Sequence, residues 1–311
     1  MQFLIENPVL FIVGPTASGK TALAVDLAIQ LNAEVISADS RYFYRGMDIG
    51  TAKPTLAERK GVPHHLIDVA DPDVTISLGE FRQNVLRLIE AIHKRNKWVI
   101  LVGGSGQYIH SILEGWSIPE VKPDSRMRAI LENWCNEIGA RALHEKLSII
   151  DAAAAEKIDY HNVRRTIRAF EVIFHVGHRF SEQGKKYLNL PFHYKIIGLN
   201  LNRNDLFKKI DTRIQIMLEL GLVNETKKLI EQYGENLPSM SAIGYREIAA
   251  FLKGETDLQA AVTLMKKRTH AFVRRQANWF KDADPKIQWY FSDTYQLDVV
   301  MNYVNSPLGW K

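Results

Sequence analysis

The residues best suited to chemistry lie close to the start of the chain. Gly14-Pro15-Thr16-Ala17-Ser18-Gly19-Lys20-Thr21 follows the short apolar run Val9 to Val13 and opens a helical stretch, Thr21 to Leu31. The spacing G-x-x-x-x-G-K-[ST], between a strand and a helix, places backbone N–H groups and a helix N-terminus around phosphate oxygens. Lys20 adds a point charge, and Thr21 offers a hydroxyl to Mg²⁺ bridging the phosphates. Such a loop holds a phosphate chain without specifying which one, since kinases, ATPases and GTPases all share it. No Asn-Lys-x-Asp guanine signal is present, and the apolar run Val99 to Val102 ends in Gly103-Gly104-Ser105. An acid there would organise a metal; its absence argues against a standard ATPase.

Asp39 is the second candidate. It follows Glu34 to Ala38, which reads as a strand, so it falls at the carboxyl end of a strand, the edge where open α/β sheets bind ligands. An acid in that place can deprotonate an acceptor, although a turn or helix-cap Asp would look the same.

These side chains need a frame. Strands at Val9 to Val13, Glu34 to Ser37 and Trp98 to Val102, a short one at His65 to Val69, and an amphipathic helix Phe81 to Lys94 alternate along the chain. That alternation predicts a parallel α/β sheet with right-handed crossovers. From Pro119 to Asn189 the pattern is helical, with Val163, Ile167, Phe170 and Phe174 on one face. Strand character resumes at Tyr194 to Leu199, and helices are expected to dominate from there to the end. The expected division is a core of 1–118 and 190–311, with C-terminal helices, interrupted by a helical insertion at 119–189.

The 311 residues are 46% hydrophobic and 24% charged, an ordinary globular composition. One cysteine, Cys135, excludes an internal disulfide framework and reads as a packed thiol. Met1 to Pro8 lacks the pattern of a secretory leader, and no apolar stretch is long enough to span a bilayer. A cytoplasmic protein without a membrane partner is expected. Net charge is +5, and Leu258 to Lys281 carries six Lys or Arg residues and no acid. Lys267, Arg274 and Lys281, with Arg268 and Arg275 alongside, would form a helical stripe fit for a phosphate backbone or simply a solvated face. Tyr42, Phe43 and Tyr44 could stack on splayed bases or fill core. His64-His65 lacks further ligands and reads as structural.

The block after Asp39 carries a resemblance. Asp39-Ser40, then Tyr44-Arg45-Gly46-Met47-Asp48-Ile49-Gly50-Thr51-Ala52-Lys53-Pro54, together with the phosphate loop, resembles the tRNA dimethylallyltransferase (isopentenyltransferase) family. Further matching runs are Pro63 to Asp68, Gly103 to Tyr108, Asp211 to Ile214, Ala242 to Glu247 and Arg274 to Phe280. The resemblance implies a P-loop NTPase-like, nucleoside-kinase-like α/β core with an inserted all-helical domain. It implies Mg²⁺ with dimethylallyl diphosphate as donor, and the anticodon stem-loop of tRNA as acceptor partner. The acceptor atom would be the N6 amine of the adenosine 3′ to the anticodon, and the protein would be a monomer.

On that implication Asp39 is the general base, with Ser105 and Arg213 beside the leaving diphosphate. Gly14 to Thr21 hold the donor, and Thr21 holds the metal. Asp39, Ser40, Arg41, Tyr42 and Ser105 would contact tRNA, as would Arg128, Arg164, Arg165, Thr166, Ile167 and Arg168. The same is implied of Ser241, Ala242, Ile243, Gly244, Tyr245, Arg246, Arg274, Arg275, Gln276 and Lys281. Three positions depart from the family pattern: Tyr42 where Gln is usual, Ser105 where Thr is usual, and His270 where Arg is usual. The chemistry is coherent on its own terms. An exocyclic adenine amine is a poor nucleophile, and a positioned carboxylate raises its rate by about 10²–10⁴. The rest is electrostatic stabilisation of departing diphosphate. A nucleoside or nucleotide kinase, or an RNA-binding protein switched by nucleotide, also explains the phosphate loop. The kinase explains neither the basic stripe nor the block from Asp39 to Pro54.

Overall fold

A computed structural model describes residues 8–116, 118, 121, 124–182, 190–234 and 237–311. The segment before Pro8, read as no leader, and the expected insertion limits Pro119 and Asn189 lie outside the described residues. In chain order the elements begin β1 (Pro8–Val13), α1 (Lys20–Leu31), β2 (Ala33–Ser37), β3 (His64–His65), α2 (Leu78–His93) and β4 (Trp98–Val102). Five helices come next: α3 (Gly106–Leu113), α4 (Ser125–Ile138), α5 (Ala140–Ile150), α6 (Ala152–Lys157) and α7 (Val163–Val176). Then come β5 (His193–Asn200), α8 (Arg203–Glu219), α9 (Leu222–Tyr233), α10 (Tyr245–Leu252), α11 (Leu258–Ala277), β6 (Ile287–Phe291) and α12 (Leu297–Asn305).

The chain forms two compact units, one of Met1–Ile76, Phe81–His110 and Leu190–Lys311, the other of Ser77–Glu80 and Ser111–Asn189. The first contains a six-stranded parallel sheet in the order β3-β2-β4-β1-β5-β6. Every residue of β1 and β2 is buried, as expected of strands covered on both faces. One face packs Leu10, Ile12, Val35 and Ile100 against Leu23 and Leu27 of α1 and Val300 and Val304 of α12. A separate cluster, around Ile210, Ile214, Leu222, Ile248, Val262 and Met265, joins α8 to α11.

Two buried charges fasten the sheet. Glu34 of β2 accepts from His65 at 2.7 Å, Arg95 at 2.7 Å and Lys97 at 3.1 Å, so β3 and the turn before β4 are tied to β2. Burial by itself would raise the Glu34 carboxyl, but the hydrogen bonds from Arg95, His65 and Lys97 outweigh it and bring its pKa to about 2. Lys195 of β5 donates to the carbonyls of Tyr303 at 2.5 Å and Ser306 at 2.7 Å, capping the carboxyl end of α12. Burial lowers its pKa to about 8.

The second unit is helical. Asp124, Asp151 and Asn162 cap α4, α6 and α7 with side-chain oxygens. Leu131, Cys135, Leu143, Leu147, Ile158, Ile167 and Phe170 form its core, so Cys135 is indeed a packed thiol. Glu171, fully buried, accepts from Arg128 at 2.9 Å and Arg168 at 2.6 Å. Burial opposes ionisation of Glu171, but the two arginines and the Asp124 N–H outweigh it and hold its pKa below the usual value.

Three expectations change. β6 lies in the stretch where helices were expected to dominate, and pairs in parallel with β5 along Ile196–Asn200. The strand expected at His65 to Val69 is only His64–His65, because Leu66 and Asp68 have positive φ (60° and 56°) and turn the chain out of the sheet. Phe174 is 54% exposed, although it shares the helical face of Ile167 and Phe170; it stacks on Phe170 instead of entering the core.

Candidate active site

Four strand ends meet at the phosphate loop, all in the first unit. Gly14 has a φ of 141°, and a Cβ there would lie 2.2 Å from the Leu199 carbonyl oxygen of β5. Gly19 (φ 85°) caps α1, so Lys20 and Thr21 occupy its first turn. The exits of β2 and β4 are equally close: Ala38 N donates to Val102 O at 2.7 Å, and a Cβ on Gly103 would lie 2.7 Å from Ala38 O. Asp39 and Ser105, one residue and two residues beyond these glycine-permitted contacts, are therefore held at neighbouring strand ends.

Asp39, Lys20, Arg213 and Tyr42 form one electrostatic group. Burial lowers the Lys20 pKa to about 8; Asp39 raises it and Arg213 lowers it further. Burial raises Asp39 above the ordinary carboxylate range, against the lowering effects of the Arg41 N–H, Lys20 and Arg213. Arg213 is lowered by burial and supported by Tyr42 and Asp39. Its Nη2 donates to Thr16 Oγ1 at 2.9 Å, which ties α8 to the phosphate loop. Among the described residues, two buried atoms here lack partners, Ser18 Oγ and Arg213 Nε. Buried polar atoms are ordinarily satisfied, so these two fit a site built to receive an oxygen-rich anion.

A base held near two cations, a helix N-terminus and unspent donors can take a proton from one group while anionic charge leaves another. Thr21 brings its hydroxyl to the first turn of α1, but among the described residues no three His, Cys, Asp or Glu side chains gather to hold a metal. A divalent ion here would be carried by phosphate oxygens and Thr21, the donor set Mg²⁺ accepts.

With this geometry in place, similarity to known proteins decides the family. The family model described as IPP transferase matches residues 42–283. The chain belongs to the IPP transferase family. It is 44% identical to a tRNA dimethylallyltransferase of Thermomicrobium roseum, over 92% of this chain and 86% of that protein. It is 42% identical to one from Dehalococcoides mccartyi, over 97% and 93% of the two chains. Among solved structures, the tRNA isopentenylpyrophosphate transferase of Bacillus halodurans has a TM-score of 0.71 at 38% identity, covering 96% of this chain and 95% of that one. A eukaryotic dimethylallyltransferase, described as acting on tRNA, has a TM-score of 0.79 at 27% identity, covering 96% and 76%. The fold is accordingly the P-loop NTPase-like one expected from the sequence.

The family's Asp-Ile-Gly-Thr-Ala-Lys-Pro block is positioned by its own Lys53 and by Glu225, which lies outside every matching run. Glu225 of α9 accepts from the backbone N–H groups of Asp48, Ile49 and Gly50 at 2.9–3.1 Å. Lys53, buried, donates to Tyr44 O, Asp48 and Asp68, each at 2.6 Å. An acid at the right turn of α9 gives no local signal, because its partners lie about 175 residues away.

Several residues assigned to tRNA contact are held inside the protein. Tyr245 is fully buried, packs on Gly50 and donates its hydroxyl to Glu225 at 2.6 Å. Ala242 and Gly244 are buried beside it. Thr166 and Ile167 are buried in the helical unit, with Thr166 Oγ1 donating to Asn162 O. The side chains of Tyr245, Thr166 and Ile167 are taken up inside the protein and present almost no surface. Phe43 and Tyr44 are buried as well, and Tyr42 donates its hydroxyl to Ala52 O at 3.0 Å. Arg41 donates to Ser239 O, and Ser40 hydrogen-bonds Tyr108. Arg164, Arg165, Ser241 and Arg246 are exposed, Ile243 is half-buried, and Arg128 and Arg168 reach the surface only partly, through Glu171.

The basic stripe is shorter than expected. α11 ends at Ala277, so Lys281 lies beyond the helix, and Arg268 is neutralised by the buried Glu247. Lys267, Arg274 and Arg275 remain exposed on α11. His270, the departure from Arg, pairs with Asp211 at 2.9 Å and stacks on Phe207.

Proposed function

We propose that the protein transfers a dimethylallyl group from dimethylallyl diphosphate to the N6 amine of the adenosine at position 37 of tRNA, beside the anticodon, releasing diphosphate. The observation that carries this reading is the meeting of Asp39 with Lys20 and Arg213 at the phosphate loop, in a chain of this family. Its relatives are named for this reaction on tRNA.

In the transfer the bond from N6 to C1 of the donor forms as the bond from C1 to the diphosphate oxygen breaks. The N6 proton passes to the Asp39 carboxylate, whose raised pKa makes it a stronger base than an ordinary Asp. Lys20, Arg213 and the first turn of α1 receive the charge of the departing diphosphate. Arg213 keeps its place through Thr16. When bound, Mg²⁺ would neutralise part of that charge, with Thr21 as its protein ligand. β4 is followed by Gly103-Gly104-Ser105, which offers no acid to organise metal for phosphoryl transfer from ATP, and this favours alkyl over phosphoryl transfer.

Incubation of unmodified tRNA with the protein, dimethylallyl diphosphate and Mg²⁺, followed by mass spectrometry of the digested nucleosides, tests the reading. The expected product is N6-dimethylallyladenosine formed without ATP. ATP consumption with no prenylated nucleoside would overturn it.

A further inference from the structure

Gln276 stands one helical residue beyond the exposed Arg274 and Arg275, yet it is 5% exposed and turned into the protein. Its two amide ends do different work. Oε1 accepts from the Thr16 backbone N–H at 2.9 Å, and Nε2 donates to the Gly104 carbonyl at 3.0 Å. A carboxamide has one end of each kind, so it satisfies both loops at once; a carboxylate or an alkyl chain of the same length cannot. The fit is tight, because a Cβ on Gly104 would lie 2.3 Å from Nε2.

The bridge extends on both sides. Thr16 also accepts, through Oγ1, from Arg213, so a single chain of bonds runs from Gly104 through Gln276 and Thr16 to Arg213. The Gly104 end is next to Ser105, and the Thr16 end is inside the phosphate loop. Within the loop the Thr16 N–H is spent on Gln276, and the Ser18 N–H turns back to the Pro15 carbonyl at 3.4 Å.

We propose that Gln276 is a positioning residue of the transfer reaction: its carboxamide sets the separation between the phosphate loop and the Gly103–Ser105 turn, and it acts only through them. The inference rests on the proposed transferase reading. It assigns Gln276 a role inside the site instead of a contact with tRNA. Its consequence is that the leaving diphosphate and Ser105 fall out of register when the amide is lost, and a displacement of about 1 Å at reacting groups costs about 10² in rate.

The test compares Gln276→Glu, Gln276→Leu and Gly104→Ala in the full chain. Each is measured for single-turnover rate at saturating tRNA, for inorganic pyrophosphate affinity by calorimetry, and for tRNA affinity by filter binding. Gln276→Glu, closest in shape, still accepts from Thr16 but turns an oxygen on the Gly104 carbonyl, and keeps the measurement possible if the leucine variant does not fold. The expected result is a rate lower by about 10–100-fold and weakened pyrophosphate binding, with tRNA affinity within about twofold of the parent. Gly104→Ala displaces the same amide, so the double variant Gly104→Ala/Gln276→Glu should fall short of the product of the single effects. A loss of tRNA affinity with unchanged rate would overturn the proposal, as would a lower melting temperature with parental rate and pyrophosphate affinity. If the parent protein prenylates nothing while the variants still lose pyrophosphate, the transferase reading fails and the bridge to the phosphate loop stands.

Discussion

Glu34→Gln separates charge from shape in the strand that presents Asp39. The carboxylate is 5% exposed and serves His65, Arg95 and Lys97. Its pKa, about 2 in the folded protein against 4.5 for the free group, corresponds to about 3 kcal/mol of stability at neutral pH. Because the folded value is depressed, this contribution is complete above the unfolded value and is lost as pH falls toward the folded one. It should be about 3 kcal/mol at pH 7 and about 2 kcal/mol at pH 3.5. Urea unfolding followed by tryptophan fluorescence, for parent and variant across that range, reads the difference directly. The gap between the two proteins should narrow as the buffer is acidified. A gap of constant size would show that glutamine costs stability by packing or by lost hydrogen bonds, and that ionisation of Glu34 contributes nothing. The same variant should leave tRNA affinity untouched, since no described RNA-facing residue leans on Glu34.

Asp39→Asn should lower single-turnover rate by about 10²–10⁴ with tRNA affinity retained. In the parent protein the rate should fall with decreasing pH on a limb displaced above the ordinary carboxylate range, because burial raises Asp39; the limb should be missing in the variant. Thr21→Val should raise the Mg²⁺ concentration needed for half-maximal rate, and chelation should stop turnover by the parent; an unchanged metal titration would remove Thr21 from the metal site. Reversal of Lys267, Arg274 and Lys281 to glutamate should flatten the log–log salt dependence of tRNA binding by about two to three units, while pyrophosphate affinity holds. A slope equal to the parent's would make these residues a solvated face.

Sequence carried the site further than it carried the surroundings. The phosphate loop and Asp39 were legible because each sits where a buried strand ends, and strands buried on both faces announce themselves as continuous apolar runs. β6 was not legible for the converse reason: Ile287-Gln288-Trp289-Tyr290-Phe291 is an edge strand with no fully buried residue, and so has no such run. Matching motif blocks located the neighbourhoods of Tyr245 and Gln276 but gave no direction to their side chains. A residue inside a matching block looks the same whether it faces RNA or the core. Glu225 was missed because the backbone N–H groups it receives are set by the fold, and a polar residue that caps a turn from about 175 residues away carries no periodicity.

Gly103 and Gly104 constrain how this protein can vary. Neither has the left-handed backbone for which glycine is usually required, so each could in conformational terms be any residue. What excludes side chains is the Ala38 backbone on one side and Gln276 with the Gly14 carbonyl on the other. Gly177, the αL cap of α7, is the opposite case: its φ is 72° and nothing lies within 4 Å of a Cβ placed there. In a mutational library asparagine would stand in for glycine at 177, where it tolerates the same backbone. At 104 a side chain is admitted only if Gln276 moves or changes with it, whereas at 103 the Ala38 carbonyl excludes one whatever residue stands at 38.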